Sequence, residues 1–364
     1  MKHLVLAGAG HAHLETIQNI RSFINDGIRV SVVGPARYHY YSGMGPGMLG
    51  GFYQPEAIRF PMEKEVETQG GVFYRDSITE IDPKGNTVFL QSGKTLSYDL
   101  ISFNTGSSIH LPPLRESQNV YPVKPIEGLT QAKAAIESLA RKQNVTVAVV
   151  GGGPAGVEIA GNVAHLLSKS KYPSQIYLYG GRKLLAGFSP FIRKKSRQLL
   201  EKNNVAIREG AHLSKIEQNI LHFEDGAEEY ADCVIVCTGV HPDSFFKASG
   251  LPTGDDGGLL VNRNLQSINF PNIFGGGDCI SFQPCALAKV GVYAVRENPV
   301  LLHNLRAFFR NEQLKDFDPG GDYLLVFNLG SGKGVLHKKW LHFSGSLAFR
   351  IKDYIDTKFM KKFR

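Results

Sequence analysis

The sequence predicts an α/β protein: two three-layer units, each a parallel sheet with helices on both faces, the second inserted in the first, then a short C-terminal extension. Three observations predict it. Two apolar runs, KHLVLA at 2–7 and VTVAVV at 145–150, begin 143 residues apart. Their unbroken hydrophobicity is that of parallel strands buried on both faces. Each run feeds a glycine-rich turn and then an apolar-periodic helix, and each unit carries a later apolar strand ending in Thr-Gly.

The elements follow in order. After the strand at 2–7 comes GAGHAH, an apolar-periodic stretch over 14–24 and a second strand at 28–33. YDLISFNTG at 98–106 is a further strand, whose terminal glycine lets backbone amides come close to a ligand. The second unit repeats the plan with VTVAVV, GGGPAG, a helix over 157–167, a strand at 175–179 and ADCVIVCTG at 231–239. NIFGGGD at 272–278 is a short strand, three glycines and an acid. Strand, G-x-G-x-x-G turn and helix together form the βαβ dinucleotide-binding pattern. The first glycine makes the turn, the second admits a pyrophosphate to the backbone, and the third permits close helix–strand packing. Gly151, Gly153 and Gly156 satisfy it fully, with Pro154 and Ala155 between them. In the first copy Gly8 and Gly10 are present, but His13 takes the third place and predicts a slightly wider helix–strand contact. The expected boundaries are 1–115 and 241–320 for the first domain, 116–240 for the inserted one, and 321–364 for the extension.

Composition narrows the function classes. Hydrophobic residues at 42% and charged residues at 20% exclude a largely disordered chain. The four cysteines do not make a disulfide scaffold, and no apolar run is long enough for a transmembrane helix. The chain is therefore expected in the cytoplasm. Net charge is +8, of which the last 28 residues supply +6: Lys338, Lys339, Arg350, Lys352, Lys358, Lys361, Lys362 and Arg364 against Asp353 and Asp356. A near-neutral body argues against nucleic acid, and a basic tail points to a membrane surface. Within it Leu347, Ile351, Tyr354, Ile355 and Phe359 recur at helical spacing, the pattern of an interfacial helix. The tail is expected to be dispensable for folding and cofactor retention.

The motif series GAGHAH, YDLISFNTG, GGGPAGVE, ADCVIVCTG and NIFGGGD resembles the pyridine nucleotide-disulfide oxidoreductase-like flavoproteins, over about residues 1–300. The resemblance implies FAD in the first domain, NADH or NADPH in the second, and hydride transfer between them. Disulfide reductases carry a cysteine pair on the first domain; the corresponding stretch here, 38–48, has none, and a thiol relay cannot run without thiols. VLAGAGHAHLE, PARYHYYSGMGPGMLGGFY, ALAKVGVYAVREN and FRIKDYIDTKFM are most similar to type II NADH dehydrogenases, in particular to the dehydrogenase-like domain fused to selenide, water dikinases. That branch implies electron transfer from NAD(P)H through flavin to a quinone at a membrane face. A sulfide- or selenium-linked quinone oxidoreductase using Cys279 and Cys285, and a non-catalytic flavin-responsive binding module, are the alternatives.

Residue roles follow from the resemblance. FAD contacts are expected at Gly8, Gly10, His11, Ala12, Pro35, Arg37, Ser42, Ile78, Thr105, Gly106 and Asp278. The nicotinamide nucleotide is expected at Gly151, Gly153, Pro154, Ala155, Gly156, Arg182 and Gly239. The acid that binds ribose hydroxyls at the end of the second strand is absent from both copies, replaced by Gly34 and Gly180. With Arg182 and Lys183 close by, NADPH becomes as reasonable a donor as NADH. Glu158, on the first turn of its helix, is the expected catalytic carboxylate, stabilised by the helix N-terminus. Lys289 is expected to stabilise reduced flavin as a cation, with Tyr293 beside it in the acceptor pocket. His11 and His13 alone do not make a metal site, and no metal is expected. A homodimer is left open.

Overall fold

The computed structural model describes residues 1–363; Arg364, counted in the basic tail, lies outside them. The chain forms two compact units. Unit 1 comprises residues 1–39, 60–108 and 240–321, and unit 2 residues 40–59, 109–239 and 322–364. The grouping differs from the expected boundaries: 40–59 and 109–115 fall in unit 2, residue 240 in unit 1, and the described extension from 322 onward joins unit 2.

Unit 1 is built on five parallel strands in the order Ile273–Gly275, Leu100–Phe103, Lys2–Ala7, Ile28–Gly34 and Val72–Arg75. Leu4, Val5, Leu6 and Ala7 of the central strand are fully buried, as a run with no polar face requires. An antiparallel meander follows, Ile78–Asp82, Thr87–Leu90 and Thr95–Ser97. The apolar stretch over 14–24 is not one helix. It breaks at Asn19 into Leu14–Gln18 and Ile20–Asn25. The Asn19 side chain donates to the Glu15 carbonyl and the Ser22 hydroxyl to the Asn19 carbonyl, both at 2.8 Å. Such side-chain bonds compete with the helix ladder.

Unit 2 repeats the plan. Its parallel strands run Val120–Pro122, Cys233–Val236, Val145–Val150, Ser174–Tyr179 and Val205–Arg208. Leu213–Glu217, Ile220–Phe223 and Glu228–Tyr230 form its meander. The extension adds three antiparallel strands, Leu325–Asn328, Gly334–Lys338 and Leu341–Gly345, and the helix Ser346–Lys362.

That helix is amphipathic in an unexpected sense. Lys352 and Asp356 pair at 2.7 Å with side chains only 14% and 7% exposed. The Lys352 ammonium also donates to the Gly43 carbonyl at 2.6 Å, and the Tyr41 hydroxyl to Asp356 at 3.0 Å. Tyr53 donates to Asp353 at 2.7 Å, and Phe359 stacks on Tyr41 at 4.7 Å between ring centres. Meanwhile Leu347, Tyr354 and Ile355 face outward, at 62%, 67% and 42% exposure. The helix thus buries the Lys352–Asp356 pair and exposes part of its apolar stripe, with Arg350, Lys358, Lys361 and Lys362 also exposed. It packs as a structural part of unit 2, against the expectation that it is dispensable for folding.

Asp356→Ala should therefore destabilise the protein by about 3–5 kcal/mol, because it leaves the Lys352 charge buried and unpaired. The double change Lys352→Met, Asp356→Leu should recover most of that loss. Denaturant unfolding of the two variants checks this, and equal losses in both would show the pair to be unimportant.

Candidate nucleotide sites and a buried acid–base cluster

In unit 1 the first turn depends on close backbone approach. Gly8 takes φ +94, and a Cβ there would overlap the Asn104 carbonyl. A Cβ on Gly10 would overlap the Asn104 side chain. Asn104, which follows the strand Leu100–Phe103, ties three segments together. Its Oδ1 accepts the Ala12 N–H at 3.0 Å and its Nδ2 donates to the Gly276 carbonyl at 2.6 Å. The loop of the three glycines is thereby fixed against the first turn. Sequence reading passed over this residue, although it precedes Thr105-Gly106 directly.

His13, in the third place of the first turn, is anchored on both ring nitrogens. It is fully buried, with Nδ1 2.7 Å from the Gly8 carbonyl and Nε2 2.8 Å from the Ser102 hydroxyl. The carbonyl requires Nδ1 to carry the proton, so Nε2 accepts from Ser102. Burial holds the ring at a pKa of about 4, so it is neutral at physiological pH. His11 bonds His39 at 3.0 Å between ring nitrogens. Among the described residues no group of three metal-ligating side chains occurs.

The other expected residues of unit 1 fall as follows. Asp278 accepts from the Ser107 hydroxyl at 2.8 Å. Gly106 has open space where a Cβ would stand. Pro35 and Arg37 follow the strand Ile28–Gly34, and Arg37 lies 3.9 Å from Glu63. At Gly34 the Phe73 ring would stand 3.2 Å from a Cβ. Ile78 opens the meander. Lys289 is not a free cation: its ammonium pairs with Asp256 at 2.7 Å and donates to the Ile280 carbonyl. Tyr293 lies in the first turn of the helix Gly291–Arg310. Cys279 is fully buried against the Phe103 and Gly276 carbonyls, and burial pushes its thiol up to about 12. Such a thiol is not a nucleophile at neutral pH. Cys285 is exposed, and both are free thiols.

One further carboxyl was missed. Glu297, only 1% exposed, accepts the Gly277 N–H at 2.5 Å. Burial raises it to about 7.

In unit 2 the second turn has the same construction. Gly151 takes φ +135, and a Cβ there would overlap the Cys237 carbonyl. Gly156 lies against the Gly151 carbonyl, whereas Gly153 and Gly239 have open space. Pro154 starts the helix Pro154–Leu167, where a missing N–H costs nothing. Beside Gly180, Arg182 and Lys183 are exposed. Glu209, whose side chain lies beside Gly180, is already engaged. Its oxygens accept the Leu184 N–H at 2.7 Å and pair with Arg197 at 2.9 Å.

Glu158 directly follows this turn. Its carboxylate accepts the Asn328 N–H at 2.8 Å, so the extension caps it. Asn162, one turn on, donates to the Glu158 carbonyl at 2.8 Å and to the Asn328 carbonyl at 3.0 Å. Burial raises Glu158 to about 7; the nearby Lys352 charge and the Asn328 N–H oppose that rise. For Lys352, burial works against its charge, but Asp356 and Glu158 outweigh it and hold the ammonium above its ordinary range. Burial raises Tyr41 and Tyr53 as well, so both phenols stay protonated. Ser42 sits between Tyr41 and Gly43, both bound by the C-terminal helix. The stretch that carries cysteines in disulfide reductases therefore carries groups that hold protons.

Two strand–turn–helix cradles, each with glycines at the points of closest approach, define a two-nucleotide oxidoreductase. The family model of pyridine nucleotide-disulphide oxidoreductases matches residues 2–302, and the chain belongs to that family. It is 26% identical over 346 residues to ferroptosis suppressor protein 1 of Taeniopygia guttata, covering 91% of this chain and 87% of that one. It is 23% identical over 296 residues to the NADH dehydrogenase-like protein YutJ of Bacillus subtilis (strain 168), covering 80% of each. In fold it matches NDH2 of Plasmodium falciparum, solved in complex with NADH, with a TM-score of 0.81 and 15% identity over 99% of this chain and 98% of that one. The fold class, the family and its flavin and nicotinamide nucleotide chemistry are as the motifs predict.

Asn104→Leu should strip FAD. It strands the Ala12 N–H and the Gly276 carbonyl, at about 1–3 kcal/mol per buried group. The ratio of flavin to protein absorbance after gel filtration measures this, and an unchanged ratio would show that Asn104 does not hold the cradle.

Proposed function

We propose that the chain is a FAD-dependent NAD(P)H:quinone oxidoreductase of the type II NADH dehydrogenase kind, acting at the inner face of an anionic membrane. The observation that carries this reading is Glu158: a carboxyl with a pKa of about 7, directly behind the second nucleotide turn, held by the Asn328 N–H and in the field of the Lys352–Asp356 pair. A NADH dehydrogenase-like relative and the fold match with bound NADH support a nicotinamide donor.

When bound, FAD would supply the two-electron chemistry that links the nicotinamide to the quinone. The chain's residues bind, orient and manage protons. Gly8, Gly10, His11, Ala12, Thr105, Gly106 and Asp278 hold FAD, with Pro35, Arg37, Ser42 and Ile78 as further contacts. Gly151, Gly153, Pro154, Ala155, Gly156 and Gly239 hold the nicotinamide nucleotide, and Arg182 takes the extra phosphate of NADPH. Reduction of a quinone to a quinol takes up two electrons and two protons; the hydride from the nicotinamide accounts for both electrons and one proton, so one more is needed. Protonated Glu158 gives up one as negative charge develops nearby, and the Lys352 ammonium stabilises the carboxylate left behind. Lys289, fixed by Asp256, and Tyr293 border the acceptor.

Anaerobic bleaching of the flavin by NADH, NADPH and sulfide in parallel, followed by reoxidation with a short-chain quinone, tests the activity. Bleaching by sulfide alone, or by none, would overturn it. Proton donation by Glu158 also sets a pH profile. Turnover should fall as pH rises through about 7, as the acid form is lost. Glu158→Gln should lower kcat by about 10²–10⁴-fold and abolish that break. A wild-type profile in the variant would leave Glu158 without a catalytic role.

The membrane face differs from the stripe expected in the sequence. The exposed apolar residues are Trp340 at the tip of the last hairpin, Leu341, Leu347, Tyr354 and Ile355. Lys338, Lys339, Arg350 and Lys358 are exposed among them, with no acidic partner among the described residues. No described helix is long and apolar enough to cross a membrane. Contact is therefore interfacial. Trp340 is 83% exposed and the chain's single tryptophan, so its emission reports insertion directly. Emission should shift to the blue with anionic vesicles, and less at high salt. Lys338→Ser with Lys339→Ser should weaken binding by about 2 kcal/mol, or about thirtyfold. Emission unchanged by vesicles would remove the membrane from this reading.

A further inference from the structure

Glu297 lies behind the unit 1 cradle, on the helix Gly291–Arg310. Its Oε2 accepts the Gly277 N–H, and a Cβ on Gly276 would stand 3.0 Å from that oxygen and 3.0 Å from the Ala12 Cβ. The carboxyl therefore backs the loop that presents Asp278, with Ala12 of the first turn on the other side of Gly276. Only this one backbone donor holds it, and among the described residues it has no ion pair. A fully buried carboxylate with a single hydrogen bond and no counter-ion is poorly stabilised.

The groups around it supply little of the missing charge. The short turn His11–His13 packs against the helix, but His13 is neutral and bound to Gly8 and Ser102, while His11 is bound to His39. Leu14–Gln18 offers Glu15, another acid. The turn Gly277–Cys279 offers Asp278, also an acid, and a Cys279 thiol held neutral by burial. The strand Ile273–Gly275 carries no titratable side chain. On the same helix, Arg296 bonds the Pro319 and Gly321 carbonyls. Lys289, just before it, is the one cation that lowers Glu297, but it is paired with Asp256, and the opposing effect of the Asp278 charge is larger.

A dinucleotide in this cradle brings two phosphate charges to the Gly8–His13 turn. Negative charge arriving near a buried carboxylate favours its protonated form. We propose that Glu297 is a positioning residue of the FAD cradle that takes up one proton from solvent as FAD docks, so that FAD retention is coupled to pH. This rests on the reading of unit 1 as the FAD domain. The carboxyl titrates near 7, so the coupling falls in the physiological range. The sign follows directly. Above that pH free Glu297 is charged, FAD binding must protonate it, and affinity falls as pH rises. Below it the carboxyl is already protonated and affinity is flat.

The test is the dissociation constant of FAD from the full-length holoprotein, read as flavin fluorescence released on dilution, between about pH 6 and 8.5; linkage equates the slope of log Kd against pH with protons taken up. In the wild-type protein Kd should be level below about pH 6.5 and approach a tenfold rise per pH unit above about 7.5. Glu297→Gln keeps an acceptor for the Gly277 N–H but cannot titrate, so its Kd should be independent of pH and near the wild-type low-pH value. Glu297→Ala should bind more weakly at every pH, also without slope. A wild-type slope retained in Glu297→Gln, or no slope in the wild-type protein, would overturn the proposal while leaving the flavoprotein reading intact. Failure to hold FAD at any pH would overturn both.

Discussion

The structure depends on one constraint: backbone must come close enough to a pyrophosphate to hydrogen-bond it, which leaves no room for a side chain at the turn. Gly8 and Gly151 meet it with left-handed φ angles that only glycine adopts easily. What packs against each turn is backbone from a neighbouring parallel strand, at Asn104 in unit 1 and Cys237 in unit 2. The strand order therefore follows from the same requirement. Each turn must lie between strands whose carboxyl ends converge, and a central parallel strand with neighbours on both sides provides that. The helices, the Thr-Gly strand ends and the capping polar groups are arranged around those two points.

The two units fulfil this constraint with different side chains. In unit 2 three glycines suffice. In unit 1 an imidazole occupies the third place and a single asparagine ties three segments, so neutral hydrogen-bonding groups do the work of close packing. The difference matters for chemistry. Unit 1 keeps a weakly compensated carboxyl, Glu297, behind its turn, whereas in unit 2 the Lys352 charge is the largest influence opposing the rise of Glu158. Both carboxyls titrate near neutrality, because burial raises them and only part of the cost is offset.

The C-terminal helix shows how an amphipathic pattern can be misassigned. Its apolar and charged residues both recur at helical spacing, and spacing alone does not say which face is inside. The ordinary rule buries the apolar face. Here Lys352 and Asp356 satisfy each other and the partners Gly43 and Tyr41, so a charged face is buried, and Leu347, Tyr354 and Ile355 remain outside. The partners lie some three hundred residues earlier in the chain, and no local signal connects them.

The sequence by itself determined the two βαβ units, the positions of their turns, the Thr-Gly strand ends and the acid of the third motif. These depend on local backbone geometry and on burial of whole strands, both of which leave contiguous residue patterns. It also singled out Glu158, because that carboxylate directly follows a glycine turn. Only the tertiary structure decided the partners: Asn328, Lys352 and Asp356 around Glu158, Asn104 across the first turn, Asp256 on Lys289, and Glu297 behind Gly277. Each of these is a pairing between segments distant in sequence, created when strands and helices pack. Whether a titratable group is charged depends on that packing, through burial and the charges it brings together. The scaffold is therefore local in origin and legible, while the proton chemistry is a property of the fold.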